Sequence, residues 1–140
     1  MTKGDITFTM IKPIAVKEKH MGEILTIIEK AGFRIIGLKM IHLTSDKAQR
    51  FYAEHQGKPF FHELVEFISS GPVIAAILQK ENAVADFRAL IGATDPKEAK
   101  EGTIRKMFAK DKGHNAIHGS DSDASAIREA NFFFSELERF

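Results

Sequence analysis

The residues of this chain best suited to chemistry stand together at 115–121, where His118 lies among an amide, a glycine, a hydroxyl and a carboxylate. Small apolar residues before His118 favour a short buried strand, and Gly119 with the Ser and Asp residues after it favours a turn into a helix. Neutral imidazole is a usable nucleophile near pH 7, so a histidine held by the backbone on both sides is a candidate nucleophile. The alternative is a buried histidine whose ring is only tied to a carbonyl group.

Length, composition and charge restrict the classes of protein to consider. The 140 residues predict one domain, residues 1–140, and the absence of cysteine excludes disulfides, thiolate metal sites and a cysteine nucleophile. A net charge of +1 argues against strong general affinity for nucleic acid or an anionic membrane. The N-terminus lacks the apolar core of a signal peptide, and the longest apolar run, 73–78, is far shorter than the roughly 20 residues that span a bilayer. We therefore expect a cytoplasmic protein with no membrane partner.

Hydrophobic periodicity predicts alternating strands and helices. Strands are expected at 6–11 (half-buried and ended by Pro13), at 33–43 (bent at Gly37), at 73–78 (central) and around His118. Helices are expected at 20–30, 47–54 (capped by Ser45 or Asp46), 60–69, 82–90 (capped by Asn82) and 123–129, with a long charged loop at 92–114. This order predicts an α+β fold: a ferredoxin-like βαββαβ unit with a four-stranded antiparallel sheet, an extra helical pair and a long loop before the strand of His118.

Any phosphate-handling site in this chain must use side chains. No G-x-x-x-x-G-K-[ST] loop occurs, nor any protein-kinase H-R-D or D-F-G triplet. The candidates for holding phosphate are Lys12 at the end of the first strand, Arg88 on a helix, and Thr94 and Arg105 in the long loop. Each cation taken alone is equally compatible with a solvated surface charge.

Several short motifs occur together in one order along the chain. The first strand ends in Lys12-Pro13, Phe51-Tyr52 is followed by Pro59-Phe60-Phe61, and Gly71-Pro72 opens the apolar strand. G-A-T-D-P at 92–96 and G-T-I-R at 102–105 precede N-A-I-H-G-S-D at 115–121. In these motifs, and over nearly its full length, the chain resembles the nucleoside diphosphate kinase family.

The resemblance implies an enzyme that moves the γ-phosphoryl group of ATP or another nucleoside triphosphate to a nucleoside diphosphate. The route is ping-pong through a phosphohistidine, with low base selectivity. The implied catalytic residues are His118 as phosphoryl acceptor, Glu129 as the carboxylate that holds its other ring nitrogen, Lys12, and Tyr52 as support for His118. The implied nucleotide-binding residues are Lys12, Arg88 and Arg105 at the phosphates, Thr94 as a hydrogen-bond donor, Asn115 and Lys12 at the ribose, and Phe60 stacked on the base.

Further expectations follow from the same resemblance. Mg²⁺ is bound mainly by the nucleotide's phosphates, with Glu54 and Asp121 reaching it through water and no direct protein ligand. The protein forms a homo-oligomer, a tetramer or a hexamer. Lys112 stands where the family commonly has an apolar residue, so its stem either covers the base or points into solvent.

Two other functions stay open at this stage. The first is a non-enzymatic ferredoxin-like module that binds nucleotide or regulates a partner. The second is a nucleic-acid-binding protein, which the near-zero net charge disfavours. The set of His118, Glu129 and Lys12 favours the enzyme, because a protein that only binds nucleotide has no need of it.

Overall fold

The computed structural model describes residues 4–111 and 114–140. One antiparallel sheet has the order β2-β3-β1-β4, which confirms the predicted ferredoxin-like α+β plan. The strands are β1 (Ile6–Ile11), β2 (Arg34–His42), β3 (Pro72–Gln79) and β4 (Ile117–Gly119). The helices are α1 (Pro13–Lys17), α2 (Met21–Lys30), α3 (Ser45–Phe51), α4 (Phe61–Ile68), α5 (Ala83–Ile91), α6 (Ile104–Phe108) and α7 (Asp123–Phe133), with 3₁₀ turns at Ala53–His55 and Glu136–Glu138.

Strand β1 lies in the interior of the sheet and is buried on both faces. The alternation of apolar residues and threonine predicts a half-buried strand, but Thr7 and Thr9 are no more than 1% exposed. Helices cover both sides of the sheet, so water is excluded from the threonine face of β1 as well as from its apolar face. Thr9 compensates for its burial by donating its hydroxyl to the His118 carbonyl oxygen at 2.8 Å.

Two apolar layers pack on the two faces of the sheet. On one face, Phe8 and Met10 of β1 pack with residues of α3, α4 and α7. On the other face, Ile11 of β1 packs with residues of α2, α5 and α6. Among the described residues, no helix is both long and apolar enough to cross a bilayer.

Four local predictions are corrected. Pro13 ends β1 as expected but also opens a helix, since proline is favoured at the first helical position. The loop at 92–114 contains the helix α6, so Arg105 is helical. Thr44, rather than Ser45 or Asp46, caps α3 by accepting from the Lys47 N–H. Asn82 precedes α5 with φ of 57°, and its side chain does not cap the helix.

Candidate active site

Strand β4 points His118 and Gly119 toward opposite faces of the sheet. His118 pairs with Met10, and its ring lies 6.0 Å from the ring of Phe8 and 5.6 Å from that of Phe51, measured between centroids. On the other face, a Cβ added to Gly119 would lie only 2.9 Å from the Ile91 Cδ1 atom of α5. A side chain at position 119 would therefore force Ile91 and Phe87 of α5 to shift, which favours glycine beside His118.

The imidazole of His118 is fixed from one side. Its Nε2 lies 2.9 Å from Glu129 Oε1, and the same carboxylate oxygen accepts the Ser120 hydroxyl at 2.7 Å. Glu129 and Ser120 are both buried, so this acceptor is held in one place. A carboxylate on Nε2 favours the tautomer with a proton there, which leaves the lone pair on Nδ1.

A strained turn precedes the strand of His118. The Ile117 N–H donates to the Asn115 carbonyl at 2.9 Å, and Ala116 between them has φ of 74°. A three-residue turn with this central conformation is rare in non-glycine residues and costs on the order of 1–3 kcal/mol. The turn places the Asn115 side chain where its Oδ1 accepts from Lys12 Nζ at 2.8 Å.

Lys12 is a buried cation with one hydrogen bond given to a neutral partner. Burial, followed by the charge of Arg105, lowers the pKa of Lys12 from 10.5 to about 7. The Lys12 ammonium also lies 5.9 Å from the centre of the Phe67 ring. An anion placed beside Lys12 would restore its charge, since an opposite charge favours the ionised form.

Arg105 is the second buried cation. Its two terminal nitrogens donate to the carbonyls of Gly92 at 3.0 Å and Ile117 at 2.9 Å, while its buried Nε has no hydrogen-bond partner in the described part of the chain. Burial and the charge of Arg88 lower the pKa of Arg105 to about 10. Arg105 therefore lies close enough to both Lys12 and Arg88 to be repelled by each, and the charge of Arg88 in turn helps to lower the pKa of the Asp121 carboxyl.

A cleft of about 810 Å³ opens beside Lys12, and neither Arg88 nor Arg105 is among its lining residues. Its lining includes four of the predicted nucleotide-binding residues, Lys12, Phe60, Thr94 and Asn115. Phe60 stands at the start of α4 with 44% of its surface exposed, which leaves a ring face available for stacking. The remaining lining residues are Glu63, Leu64, Glu66, Phe67, Ser70 and His114.

Comparison with known proteins gives one family. A family model described as nucleoside diphosphate kinase matches residues 5–139. The chain is 57% identical over 132 residues to the nucleoside diphosphate kinase of Prosthecochloris aestuarii, covering 94% of both chains. The chain belongs to the nucleoside diphosphate kinase family. Members transfer phosphoryl groups between nucleotides, so the protein is a phosphotransferase.

Two solved structures of nucleoside diphosphate kinases are similar to this fold. The Aquifex aeolicus protein has a TM-score of 0.95 and 47% identity, covering 97% of this chain and 99% of that chain. The Halobacterium salinarum protein, solved in complex with CDP, has a TM-score of 0.94 and 41% identity, covering 98% of this chain and 91% of that chain.

The remaining predicted site residues have these positions. Tyr52 is buried, packs on Phe51 with ring centroids 5.1 Å apart, and has its pKa raised by burial and by the charge of Glu129. Glu54 is paired with Arg128 at 3.5 Å. The pKa of Asp121 is lowered, first by a hydrogen bond with the Ser125 side chain. Among the described residues, no group of three or more His, Asp or Glu side chains could hold a metal ion. Lys112 lies outside the described residues.

Several residues of the site are not among the predicted ones. Ser120 lies within the N-A-I-H-G-S-D motif. Its hydroxyl donates to Glu129, so it helps to hold the carboxylate that contacts His118. Phe51 contacts His118 directly. Ala48 and Phe51 are the buried residues of α3, and their separation by three positions is a helical spacing that can be seen in the sequence. Glu63 and His114 line the cleft without any signal in the sequence that places them there.

Proposed function

We propose that His118 Nδ1 is the atom that accepts the phosphoryl group. The observation that carries this proposal is the contact of Nε2 with Glu129, which keeps a proton on Nε2 and a lone pair on Nδ1. Nδ1 attacks the γ-phosphorus of a nucleoside triphosphate, the bond to the bridging oxygen breaks, and the diphosphate leaves with that oxygen's electron pair. A terminal phosphate oxygen of a second diphosphate then attacks the phosphohistidine and returns the enzyme to its first form.

The phosphates are held by the three cations. Arg105 is repelled by both Lys12 and Arg88 in the unliganded protein, and a polyphosphate beside them turns that repulsion into attraction. Thr94, which lines the same cleft, donates its hydroxyl to the phosphates. Positioning and charge neutralisation are the main demands of phosphoryl transfer.

The nucleoside occupies the cleft. Phe60 stacks on the base through its exposed ring, and Asn115 with Lys12 reaches the ribose hydroxyls. Stacking accepts any aromatic base, so base selectivity is low. Tyr52 supports the site from behind Phe51, the ring that contacts His118.

Mg²⁺ enters with the nucleotide and is bound mainly by its phosphates. The described residues fit this arrangement, because Glu54 and Asp121 are exposed carboxylates that could accept hydrogen bonds from metal-bound water while they keep their contacts with Arg128 and Ser125. When bound, Mg²⁺ would neutralise part of the phosphate charge. Glu54 and Asp121 would hold its water shell.

The test is phosphoenzyme formation. Incubation with γ-labelled ATP is expected to give a stable label at alkaline pH that acid removes, and addition of unlabelled diphosphate is expected to discharge it. His118→Asn, which retains a polar side chain of similar size, is expected to fold normally and take up no label. Label on the His118→Asn protein would assign the nucleophile to another residue. No label on the wild-type protein would instead favour a module that only binds nucleotide.

We further propose a homo-oligomer, a tetramer or a hexamer, built through the edge strand β2. Leu38 and Met40 of β2 are 49% and 53% exposed, although they lie in a strand whose neighbour β3 is buried. A second copy of the chain would cover this edge and its apolar side chains. Light scattering of the purified protein measures the number of subunits.

The remaining expectations concern the chain and its cellular location. Residues 1–140 form one domain, and the protein acts in the cytoplasm. Its ligands are ATP and other nucleoside di- and triphosphates, and we expect neither a membrane nor a specific nucleic acid as a partner.

A further inference from the structure

Arg128 joins two carboxylates that belong to different parts of the site. It lies on α7 immediately before Glu129, and its Nη2 atom is 3.6 Å from Glu129 Oε2. The same Nη2 is 3.5 Å from Oε1 of Glu54, which lies in the 3₁₀ turn between α3 and α4. One guanidinium nitrogen thus connects the helix behind His118 with the segment that leads to Phe60.

The two oxygens of Glu129 have different partners. Oε1 accepts hydrogen bonds from His118 Nε2 at 2.9 Å and from the Ser120 hydroxyl at 2.7 Å, whereas Oε2 lies 3.6 Å from Arg128 Nη2. The Glu129 side chain is only 6% exposed, so water provides little compensation for its charge. Removing Arg128 therefore leaves Oε2 under-compensated and frees the carboxylate to turn about its axis, which shifts the acceptor of His118.

Glu54 in turn belongs to a small cluster that ends at Phe60. Glu54 Oε1 lies 3.8 Å from His55 Nε2, and the His55 ring is 5.6 Å from the Phe60 ring. Lys58 contacts both rings, with Nζ 3.3 Å from His55 Nδ1 and 5.8 Å from the centre of Phe60. We call the segment 54–60 the base platform, because it ends in the stacking ring and its charged side chains contact one another.

We propose that Arg128 is a positioning residue. It links Glu54 of the base platform to Glu129, the carboxylate that orients His118. The proposal rests on the proposed function, in which Phe60 holds the base and His118 takes the phosphoryl group. Arg128 does not touch the reacting atoms. It acts through Glu54 on nucleotide binding and through Glu129 on the rate of transfer.

The exposure of Arg128 makes this role separable from stability. Its side chain is 47% exposed and that of Glu54 is 57% exposed, and ion pairs at such positions contribute little to folding. Losing Arg128 also takes a partner from the Glu129 side chain, which is 6% exposed, so some loss of stability is expected. The expected change in kinetics is therefore measured well below the melting temperature of every variant.

The experiment compares Arg128→Met, Arg128→Lys and Glu54→Gln with the control Arg50→Met. Arg50 is an exposed arginine on α3 whose side chain makes no hydrogen bond or ion pair with another described residue, and it is not among the residues of the proposed site. Each protein is assayed for KM, kcat, melting temperature and the single-turnover rate at which His118 takes label from γ-labelled ATP.

Glu54→Gln is expected to raise the nucleotide KM about threefold and to slow labelling less than Arg128→Met does, because it releases the platform and leaves the contact between Arg128 and Glu129 in place. Arg128→Met is expected to raise KM by the same factor and also to slow labelling about tenfold, since outer-shell partners of a working histidine typically matter by about 10- to 100-fold. Arg128→Lys is expected to recover most of the labelling rate. In the double variant that combines Glu54→Gln with Arg128→Met, KM is expected to rise no further than in either single variant.

Three results would overturn the proposal. One is an Arg128→Met protein whose KM and labelling rate match those of Arg50→Met. Another is a loss of activity that merely follows a lowered melting temperature. The third is a double variant in which the two KM effects multiply, which would mean that Glu54 affects KM only through the water shell of Mg²⁺ and independently of Arg128. A wild-type protein that takes up no label would overturn the proposed function itself, so the two failures are distinguishable.

Discussion

The two sides of the candidate site are built differently. On the histidine side, Ser120 and Glu129 are buried, and their hydrogen bonds link β4 and α7 to β1. On the nucleotide side, Phe60 is 44% exposed, and Arg88 and Thr94 are exposed as well. The first side is held by hydrogen bonds that join three elements of the fold, whereas the second consists of separate, exposed side chains.

The two sides meet different demands of phosphoryl transfer between nucleotides. An attacking atom must be placed within a few tenths of an ångström, so its supports are buried and have one arrangement. A nucleotide of variable base needs a surface that tolerates differences, and exposed stacking faces provide it. Lys12 stands between the two sides, because it is buried like the first and faces the cleft like the second.

The largest effect is expected from Lys12→Met. The substitution keeps the length of the stem but removes the ammonium that faces the phosphates, so kcat/KM is expected to fall by about 100-fold or more. Steady-state assays with saturating Mg²⁺ measure the loss. A decrease of less than about fivefold would mean that Arg88 and Arg105 suffice for the phosphates.

The same variant is expected to be more stable than the wild type. Lys12 has a pKa of about 7 in the folded protein against 10.5 for an ordinary lysine. Below pH 7 both states are protonated and folding bears the full cost of burying the ammonium. Between pH 7 and 10.5 the folded protein holds a neutral amine, and the free-energy cost of burying Lys12 shrinks as the pH rises.

The stability advantage of Lys12→Met is therefore expected to be larger at pH 6 than at pH 9, by about 3 kcal/mol. Urea unfolding at both pH values measures the difference, and an advantage that grows with pH would contradict the buried charge.

An intermediate effect is expected from Glu129→Gln, which tests the histidine side. The amide keeps the size of the carboxylate but loses its charge, so it orients His118 less strongly. The labelling rate of His118 is expected to fall by about 10- to 100-fold, with little change in nucleotide KM. Ser120→Ala, which removes one hydrogen bond to the same oxygen, is expected to give a smaller decrease in the same direction. A rise in KM without a loss of labelling rate would assign Glu129 to nucleotide binding.

Elements with strong periodic patterns are predicted from the sequence. The bounds of β1 are predicted to the residue because apolar residues alternate with threonine up to Pro13. The central position of β3 follows from its continuous apolar run, and the bend of β2 at Gly37 appears as a register shift between Ile35 and Gly37. Local features that depend on one short contact are not predicted. The helix α6 has five residues in a charged segment, so its two buried positions form no visible period.

The site is predicted where a motif carries it and not where distant segments meet. His118, Lys12 and Asn115 are indicated by motifs, and the structure brings Lys12 and Asn115 into hydrogen bonding across the sheet edge. The contact of Arg128 with Glu54 joins segments far apart in sequence, and neither residue type indicates its partner. The same applies to Glu63 and His114, which only the packing of α4 against the loop before β4 places in the cleft.

The smallest effect is expected from Phe60→Ala, which tests the nucleotide side. The loss of one stacking face is expected to raise KM about fivefold for every nucleoside diphosphate, since stacking on an aromatic side chain contributes about 1–3 kcal/mol per base. The exposed ring of Phe60 competes with water, which favours the lower end of that range. The ratio of kcat/KM between guanine and adenine substrates is expected to change by less than about threefold, and Phe60→Tyr is expected to restore the wild-type KM.

A ratio that changes by more than about tenfold would show that side chains of the cleft form hydrogen bonds with the base edges. The side chains to substitute next would then be the polar cleft residues outside the proposed phosphate and ribose contacts, because hydrogen bonds to a base edge discriminate where a ring face does not. These residues are Glu63, Glu66, Ser70 and His114.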